Sequence, residues 1–306
     1  MRHPMVTIGL PTFNAAKTLH RTLDSIINQT YNHWILYISD DFSNDETVKI
    51  IEHFVDKFPE KIQLLKPEKK LYYMNFRYLL DAADTPYFVW LAGDDWWEPT
   101  FLEDCIATLE ADPHAVCCVG RCLFHDPDGG SSLDPGCQPM LGDMPERMTA
   151  YLLALDSTRM YGVFRRQALS ASFPPLPFHA YDWALCLGTL RFGTHRTVDK
   201  ILINRERTPT RSYIEAVKRD EPNLFCRLFP AFRMTWWLMK TGAGTSSTVV
   251  FISLLRVNIR RHEQQVQFFN PRAFRVLRPM YRLLYRAIDV IQRLAWALRR
   301  GSPSRS

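Results

Sequence analysis

Long apolar runs are scarce in this chain of 306 residues, although 46% of its residues are hydrophobic. The longest uncharged run in the C-terminal half, residues 241–255, has 15 residues and contains glycine, serine and threonine. A helix that crosses a bilayer needs about 20 predominantly apolar residues. We therefore predict no transmembrane helix.

A disulfide framework is missing as well. The seven cysteines are an odd number without regular spacing, and no apolar leader with a cleavage site opens the sequence. Both features are typical of a reduced, cytoplasmic protein. Cys117, Cys118 and Cys122 lie close together, but no second pair of Cys or His stands at the spacing of zinc ligands. We interpret these three cysteines as part of a buried strand.

Excess positive charge is absent from most of the chain. Residues 256–306 contain twelve arginines and two acidic residues, Glu263 and Asp289, which is a balance of +10. Because the whole chain carries +6, residues 1–255 carry −4. The basic character belongs to the C-terminal end, and attraction to an anionic surface should arise there.

The first half of the chain alternates regularly between strand and helix patterns. Short apolar runs precede segments whose apolar residues recur at helical intervals. Such alternation predicts an α/β fold with a mostly parallel sheet flanked by helices, and with ligands at the carboxyl ends of the strands. The predicted strands are residues 5–10, 34–39, 61–65, 87–92 and 115–124. The predicted helices are residues 15–29, residues 73–83, one begun by a capping box of Ser43 and Glu46, and one with Pro99 in its first turn.

The second half is less regular. Residues 125–146 are rich in Pro, Gly, Asp and Ser, which is typical of a mobile loop. Short, mainly helical segments follow as far as about residue 212, and the rest of the chain predicts a mainly helical, basic C-terminal extension.

Acidic residues follow predicted strands or turns at three places, which are Asp40–Asp41, Asp94–Asp95 and Asp182. For each alone, capping the next helix is the more ordinary role. Paired carboxylates at the rim of an apolar core, however, cost free energy unless a cation compensates them. Mg²⁺ and Mn²⁺ prefer such oxygens and commonly combine one or two carboxylates with substrate phosphates. The pairs therefore indicate a metal-bound diphosphate substrate.

Several segments, in order along the chain, resemble the family 2 glycosyltransferases. They cover about residues 5–212, and their order and spacing are more specific than any single motif. The resemblance implies the compact α/β architecture known as GT-A. It also implies inverting transfer of a sugar from a nucleotide diphosphate to an acceptor hydroxyl. The segments are TIGLPTFNAAKTLHRTLDSIINQTY, ISDDFSNDET, LAGDDWWEP, YGVFRRQAL followed by YDWAL, and RFGTHRTVDKILINR.

The resemblance further implies roles for single residues in binding the nucleotide sugar. Pro11, Thr12 and Asn14 would line the base and ribose pocket. Asp41 would contact the base, and Asp94 would meet the ribose or diphosphate. The family often has Arg before Asn75, where this chain has Met74, and Arg77, Lys69 or Lys70 could replace that phosphate contact. The complete predicted set is Pro11, Thr12, Asn14, Asp41, Asn75, Arg77 and Asp94.

The chemical roles implied by the resemblance fall on two residues. Asp95 would ligate Mn²⁺ or Mg²⁺, which neutralises charge on the leaving diphosphate, and Asp182 would be the general base that receives the acceptor proton. The family often has acidic residues where this chain has Ala92 and Tyr181, but the metal-ligating and base positions are kept. His179 is a secondary candidate because it is near Asp182 in the sequence.

These expectations define a domain organisation and a function. Residues 1–215 should form the nucleotide-sugar-binding and catalytic domain, and residues 216–306 the extension. We expect a metal-dependent glycosyltransferase of surface polysaccharide or glycolipid synthesis, with a UDP-sugar favoured as donor and a glycan or lipid-linked acceptor. The alternative is a non-catalytic relative that binds a nucleotide sugar or glycan as sensor or scaffold. The retained Asp94, Asp95 and Asp182 favour catalysis, because a binding protein needs no base.

The basic end has the pattern of an amphipathic helix. Its arginines recur at helical intervals on one face, and aliphatic residues occupy another face. Such a helix can lie in the interface of an anionic bilayer, which predicts peripheral attachment to the inner face of the membrane. The alternative is a helix packed on the catalytic domain with solvated arginines. Nucleic-acid binding is not expected, because no known nucleic-acid module accompanies the arginines. Pro279 should kink or divide the helix. The arginines on the first face are Arg275, Arg278, Arg282, Arg286 and Arg293. The aliphatic residues on the other face are Leu277, Leu284, Ile288, Ile291 and Leu298.

Overall fold

A computed structural model of the chain describes residues 5–175, 178–207, 217–242 and 247–301. The chain forms two compact units. The first contains Met1–Leu141, Asp156–Phe173 and Phe192–Thr208, and the second contains Gly142–Leu155, Pro174–Arg191 and Pro209–Ser306. The predicted domain boundary between residues 215 and 216 lies outside the described residues.

All the described strands belong to the first unit and form one sheet in the order β3-β2-β1-β4-β8-β6-β9-β5, with β7 paired to β6. The strands β3, β2, β1 and β4 run parallel to one another, and so do β6 and β9. The pairs of β8 with β4 and β6, of β7 with β6 and of β5 with β9 are antiparallel. The strands are β1 Val6–Thr12, β2 Trp34–Asp40, β3 Ile62–Leu65, β4 Tyr87–Trp90, β5 Trp96–Trp97, β6 Ala115–His125, β7 Ser131–Leu133, β8 Val163–Arg165 and β9 Thr194–Glu206.

Helices flank this sheet and also make up the second unit, which confirms the predicted α/β class with C-terminal helices. A 3₁₀ turn, Thr158–Tyr161, precedes β8. Among the described helices, none combines the length and apolarity that crossing a bilayer requires. The α-helices are α1 Leu19–Ile27, α2 Thr47–Lys57, α3 Met74–Ala82, α4 Phe101–Ala111, α5 Met144–Ala154, α6 Arg166–Ser172, α7 Tyr181–Thr189, α8 Leu224–Leu228, α9 Phe232–Lys240, α10 Thr248–Phe269 and α11 Pro271–Gly301.

The core of the first unit lies between the sheet and its helices. Every residue of β4 is buried, as are the inward positions Ile8 and Leu10 of β1. The helices α1 and α4 bury apolar residues that recur every three or four positions, such as Leu19, Leu23 and Ile26 in α1. Burying these side chains is the main stabilising contribution to the unit. The core also fixes the ends of β1, β2 and β4, where the polar residues follow.

Two sequence predictions for the first unit are wrong. The capping box of Ser43 and Glu46 does not form, because the Ser43 hydroxyl donates to Asp40 Oδ1 at 2.6 Å. Helix α2 begins at Thr47, whose backbone N–H donates to Asp45 Oδ1 at 3.0 Å instead. Residues 125–146 are not a mobile loop throughout, since they contain β7 and the buried Met140, which bridges to His195 of β9.

The second unit is built around the long pair α10 and α11. Their side chains meet through a hydrogen bond between Tyr281 and His262, at 2.8 Å, and one that Gln292 donates to Ser253, at 3.0 Å. The predicted division of the basic helix at Pro279 is wrong, because α11 continues through this residue. Proline has no backbone N–H to donate, but two residues later Tyr281 is buried and hydrogen-bonded to α10, which supports the continued helix.

Candidate functional site

The carboxyl ends of β1 and β2 bring the first predicted site residues together. The two strands are parallel, and Thr12 lies opposite Asp40 in their register. The Thr12 hydroxyl donates to Asp40 Oδ1 at 3.0 Å, and the backbone N–H of Asp41 donates to the Thr12 carbonyl at 2.8 Å. Pro11 and Thr12 therefore lie beside Asp41 at the edge of the sheet where ligands of parallel α/β proteins bind.

The Asp41 carboxylate holds the loop that precedes α3. It is buried and accepts the backbone N–H groups of Leu71, at 2.6 Å, and Tyr72, at 2.9 Å. Hydrogen bonds to a carboxylate are stronger than those to a neutral acceptor. This loop-holding role was not predicted, and the predicted contact of Asp41 with a base stays a prediction.

The loops after β1, β2 and β3 share a strained backbone. Asn14, Phe42 and Tyr72 have φ of 50°, 64° and 53°, in the left-handed region that residues other than glycine rarely adopt. Such strain collects at binding and catalytic sites because it is retained only where the surroundings impose it. Asn14 is held by its side-chain oxygen, which accepts the backbone N–H of Asn44 at 3.0 Å.

Exposed aromatic rings accompany the strained positions. Phe13, Phe42 and Tyr72 are 51%, 53% and 62% exposed. The Lys70 ammonium lies 3.7 Å from the centroid of Phe13 and 5.5 Å from that of Tyr72. Ring faces with a nearby cation offer stacking surface and positive charge, as a nucleoside diphosphate requires. These rings were not predicted as site residues, although Phe13 stands inside the motif between Thr12 and Asn14.

Helix α3 carries two of the residues predicted to bind the donor. Asn75 is buried, and its Nδ2 donates to the Ser39 carbonyl of β2 at 2.8 Å. The Arg77 guanidinium pairs with Asp81, with 2.7 Å between Nε and Oδ1, one turn along the same helix. The structure thus shows Asn75 joining α3 to β2 and Arg77 on the surface of α3. Their predicted contacts with the donor stay predictions.

The loop after β4 contains the second acidic pair and is held by one face of α1. The Thr18 hydroxyl donates to the Gly93 carbonyl at 2.7 Å, and the Thr22 hydroxyl to the Asp95 carbonyl at 2.8 Å. Between them, Arg21 donates to the Asp94 carbonyl at 2.9 Å. Arg21 and Thr22 lie three and four residues after Thr18 and therefore face the loop together with it.

The two carboxylates of this pair have different surroundings. Asp95 is buried, with Oδ2 accepting from Arg205 Nε at 2.9 Å and Oδ1 from the backbone N–H of Glu206 at 3.2 Å. Burial raises the pKa of Asp95 to about 6, against the opposing charge of Arg205. Asp94 is exposed, and its carboxylate accepts no hydrogen bond from any described residue.

Arg205 is held firmly. It is the last residue of the motif RFGTHRTVDKILINR, but it was not predicted as a site residue. Its guanidinium lies 4.6 Å from the centroid of Tyr161 and 5.5 Å from that of Phe124. It also donates to the Thr158 hydroxyl at 3.3 Å. A rigid cation therefore stands beside Asp95 inside the protein.

The fit of a divalent cation differs for the two carboxylates. No group of three or more His, Cys, Asp or Glu side chains suited to a metal occurs among the described residues. A cation shared with a diphosphate needs only one or two carboxylates, and the exposed Asp94 provides one. Asp95 is buried and paired with Arg205, which makes it less accessible to a metal than Asp94.

The adjacent tryptophans have separate roles. Trp97 is buried in the core against Phe101, with 4.5 Å between ring centroids. Trp96 is partly covered, since the Arg21 guanidinium lies 3.6 Å and the His125 ring 4.7 Å from its ring centroid. Trp97 is therefore a core residue, whereas Trp96 lies between a guanidinium and an imidazole ring.

In the second unit, Asp182 lies in the first turn of α7. The residue before this helix is Ala180, with φ of 63°, and no side chain caps the helix. Asp182 is therefore not the N-cap. A carboxylate in this turn is stabilised by the helix dipole. Burial lowers the pKa of nearby His179 to about 4, which makes it a poor proton acceptor at neutral pH.

Comparison with known proteins identifies the family. The sequence model of Glycosyl transferase family 2 matches residues 7–173, which is more than half of the chain. The chain belongs to glycosyl transferase family 2. This family assignment confirms the resemblance found in the motifs. The matched residues include both acidic pairs and end before Asp182.

Two curated relatives of this family 2 member are polysaccharide synthases. The chondroitin synthase of Pasteurella multocida (strain Pm70) is 26% identical over 204 residues, which are 67% of this chain and 21% of that protein. The chondroitin synthase of Escherichia coli is 24% identical over 204 residues, which are 67% of this chain and 29% of that protein. The chain thus spans well under half of the length of these relatives.

Solved structures show the fold of the family 2 member. TarS 1–349 of S. aureus superimposes with a TM-score of 0.56 at 16% identity, over 98% of this chain and 93% of that chain. TarS 1–349 in complex with UDP-GlcNAc gives a TM-score of 0.55 at 15% identity, over the same shares of 98% and 93%. The similarity confirms the predicted GT-A fold.

Proposed function

We propose that this family 2 glycosyltransferase moves one sugar from a nucleotide diphosphate to an acceptor hydroxyl, with inversion at the anomeric carbon. One observation carries the proposal. The parallel strands β1, β2 and β4 end at one edge of the sheet, where Asp41 and the Asp94–Asp95 pair follow them. Exposed aromatic rings and Lys70 lie in the loops of the same edge. This edge offers stacking surface, positive charge and an open carboxylate to one ligand.

The donor is a nucleotide sugar, with a UDP-sugar favoured. TarS, which shares the fold, has been solved with UDP and with UDP-GlcNAc. In this chain Pro11, Thr12 and Asn14 belong to the β1 loop that would receive the base and ribose. Asp41 fixes the loop that precedes α3 and would contact the base.

Mn²⁺ or Mg²⁺ is the proposed cofactor. Asp94 would hold it together with the donor diphosphate, and Asp95 is the predicted metal ligand that would join after release from Arg205. When bound, such a cation neutralises charge that develops on the leaving diphosphate. Arg205 and Lys70 are cations of the chain itself that stand at the same edge of the sheet.

Asp182 is the proposed general base. In a single displacement, the acceptor oxygen bonds to the anomeric carbon while the bond from that carbon to the diphosphate oxygen breaks. The acceptor proton passes to the Asp182 carboxylate. Its position inside the first turn of α7, rather than at the N-cap, supports a role other than capping.

The acceptor is a glycan or a lipid-linked sugar. Two relatives are named for the synthesis of chondroitin, a polysaccharide, which supports surface polysaccharide or glycolipid synthesis. Residues 1–215 would bind the donor and carry out transfer. The extension from residue 216 would hold the enzyme peripherally at the inner face of the membrane.

A panel of nucleotide sugars tests donor binding. Melting temperature is measured with each nucleotide sugar, with and without Mn²⁺. A donor at about one hundred times its dissociation constant should stabilise the fold by about 2.7 kcal/mol. Mn²⁺-dependent hydrolysis of that donor without acceptor then shows catalysis. A stabilising donor that is never hydrolysed or transferred would indicate a binding protein instead.

Asp182→Asn tests the base. Asparagine keeps the size of the side chain but cannot accept the proton, so transfer should fall by roughly a hundredfold or more while donor binding persists. Transfer rate and donor affinity are measured together. Asp199→Asn is the control, because Asp199 is an exposed carboxylate of the first unit paired with Arg121. A normal transfer rate in Asp182→Asn would remove this residue from the chemistry.

A further inference from the structure

Helix α11 has a packed face. Tyr281, Ile288 and Gln292 are buried and follow at intervals of seven and four residues. Tyr281 and Gln292 hydrogen-bond to α10, as does Tyr285, whose hydroxyl donates to Glu263 at 2.6 Å. This face is therefore already covered by α10 and is not open to a partner. It includes Ile288, which the sequence pattern had assigned to the face toward lipid.

A second face of α11 is apolar and exposed. Its large residues follow at intervals of four, three, seven, four and four, with the small Ala287 in the longest gap, so they form one stripe along the helix. Val276, Leu283 and Leu298 are 78%, 65% and 75% exposed. The stripe, here called the apolar stripe, consists of Val276, Met280, Leu283, Val290, Leu294 and Leu298.

A third face carries arginines. They recur at intervals of seven, four, seven and seven residues and therefore form a row beside the apolar stripe. Within the described residues, the ion pairs of α11 are those of Asp289 with Arg256 and of Arg299 with Asp143. The row itself has no acidic partner there. The row, here called the arginine row, consists of Arg275, Arg282, Arg286, Arg293 and Arg300.

We propose that the apolar stripe and the arginine row together dock on an anionic lipid bilayer, with α11 lying in its interface. The stripe would enter the boundary of the acyl chains, and the row would meet headgroup phosphates. The inference rests on the proposed placement of the transferase at a membrane, but it does not depend on the transfer chemistry. It assigns the contact to a face different from the packed one.

Charge favours a bilayer over a second copy of the chain as the occupant. Two copies that paired stripe against stripe would bring their arginine rows near one another, and like charges there would oppose association. An anionic bilayer provides opposite charge beside the apolar surface. Each arginine near such a surface strengthens binding by roughly fivefold, and salt weakens the attraction.

An apolar cavity enlarges the lipid-facing surface. Its volume is about 570 Å³, and its lining includes Val249 and Ile252 of α10 and Ile291, Leu294 and Leu298 of α11. Leu294 and Leu298 also belong to the apolar stripe. The stripe therefore leads into a recess that can accept part of an acyl chain, which a flat contact between two proteins would leave unfilled.

Co-sedimentation of the full chain with vesicles tests the proposal. The vesicles contain phosphatidylcholine alone or with phosphatidylglycerol, at low and high salt, without donor or acceptor. We expect binding to the anionic vesicles that high salt weakens. Arg282→Gln, Arg286→Gln and Arg293→Gln combined should weaken it by roughly a hundredfold. The matched control is Lys49→Gln, Lys57→Gln and Lys66→Gln combined, which removes the same charge from the first unit and should leave binding unchanged.

A second variant separates lipid docking from charge alone. Leu283→Gln, Leu294→Gln and Leu298→Gln combined keep helix propensity and should abolish the binding that remains at high salt. Circular dichroism and melting confirm that each variant is folded. No binding of the wild-type chain to anionic vesicles would overturn the proposal, as would equal loss in the lysine control. A dimer lost in the leucine variant, or nucleic-acid binding lost in the arginine variant, without vesicle binding, would assign the surface to that partner.

Transfer to a water-soluble acceptor is measured in parallel. The arginine and leucine variants should transfer at the wild-type rate, because their changes lie outside the donor site. Vesicle binding without any transfer by the wild-type chain would contradict the proposed function and leave the docking surface intact. Transfer without vesicle binding would contradict the docking surface alone.

Discussion

The two Asp pairs at the end of β2 and after β4 follow similar apolar strands but have different surroundings. In the first pair, Asp40 and Asp41 accept hydrogen bonds from neutral hydroxyl and backbone N–H groups. In the second pair, Asp95 is bound to the cationic Arg205, and Asp94 is exposed. The first pair fixes loops. The second pair combines a buried carboxylate, bound to Arg205, with an exposed carboxylate that a ligand can reach. Two adjacent aspartates therefore have different roles at the two places, because the fold brings different hydrogen-bond donors to each pair.

The largest effect on stability should come from breaking the ion pair between Arg205 and Asp95. Arg205→Met leaves the Asp95 carboxylate buried without its cation, and we expect the free energy of unfolding to fall by about 3 kcal/mol. Urea unfolding measures it. The double variant Arg205→Met with Asp95→Asn removes the charge that was left alone and should recover part of the loss. An unchanged midpoint for Arg205→Met would show that Asp95 is not buried as a charge.

Breaking the first pair should cost less. Asp41→Ala removes the acceptor for two backbone N–H groups, so we expect a loss of about 2 kcal/mol in the free energy of unfolding. UDP affinity should also fall, and it should fall equally with and without chelator, because Asp41 orders a loop rather than holding a metal. Urea unfolding and calorimetry with UDP measure both. A loss of UDP affinity in Mn²⁺ but not in chelator would place Asp41 in the metal site.

The sequence predicted the fold and the position of the acidic pairs at the ends of strands, but not the internal partners of these residues. The alternation of patterns identified the α/β class because the apolar period reports directly on burial. Arg205 is 110 residues from Asp95 in the chain, and no local pattern reports a contact of that separation. The capping box failed for a different reason, since Asp40, only three residues before Ser43, competes for the Ser43 hydroxyl.

The same limit applies to α11. The periodicity correctly separated arginines from aliphatic residues, but it could not show which aliphatic residues α10 already covers. Ile288 is buried against that helix, whereas Leu298 is exposed. Distinguishing a packed apolar face from an exposed one requires the partner helix, which the pattern of one segment does not contain.

The exposed member of the second pair should affect the donor more than the fold. Asp94→Ala removes no hydrogen bond between described residues, so the free energy of unfolding should change by less than about 0.5 kcal/mol. Donor affinity in Mn²⁺ should fall by about tenfold, because the carboxylate open to a cation is lost. Isothermal titration with and without chelator measures this. Donor affinity that neither the substitution nor chelator changes would remove the metal from the mechanism.

The smallest effect on stability at the first pair concerns Ser43 and Glu46, which were predicted to cap α2. Ser43 donates to Asp40 and accepts the backbone N–H of Asn14 at 2.8 Å, so Ser43→Ala should lower the free energy of unfolding by about 1 kcal/mol. Glu46→Ala should lower it by less than about 0.5 kcal/mol, because Glu46 is exposed and makes no capping hydrogen bond. A capping box would instead make both substitutions cost about 1 kcal/mol, since each residue would satisfy a helix N–H. Urea unfolding of the two variants decides between these outcomes, and equal losses would show that Ser43 serves the helix rather than the Asp40 carboxylate.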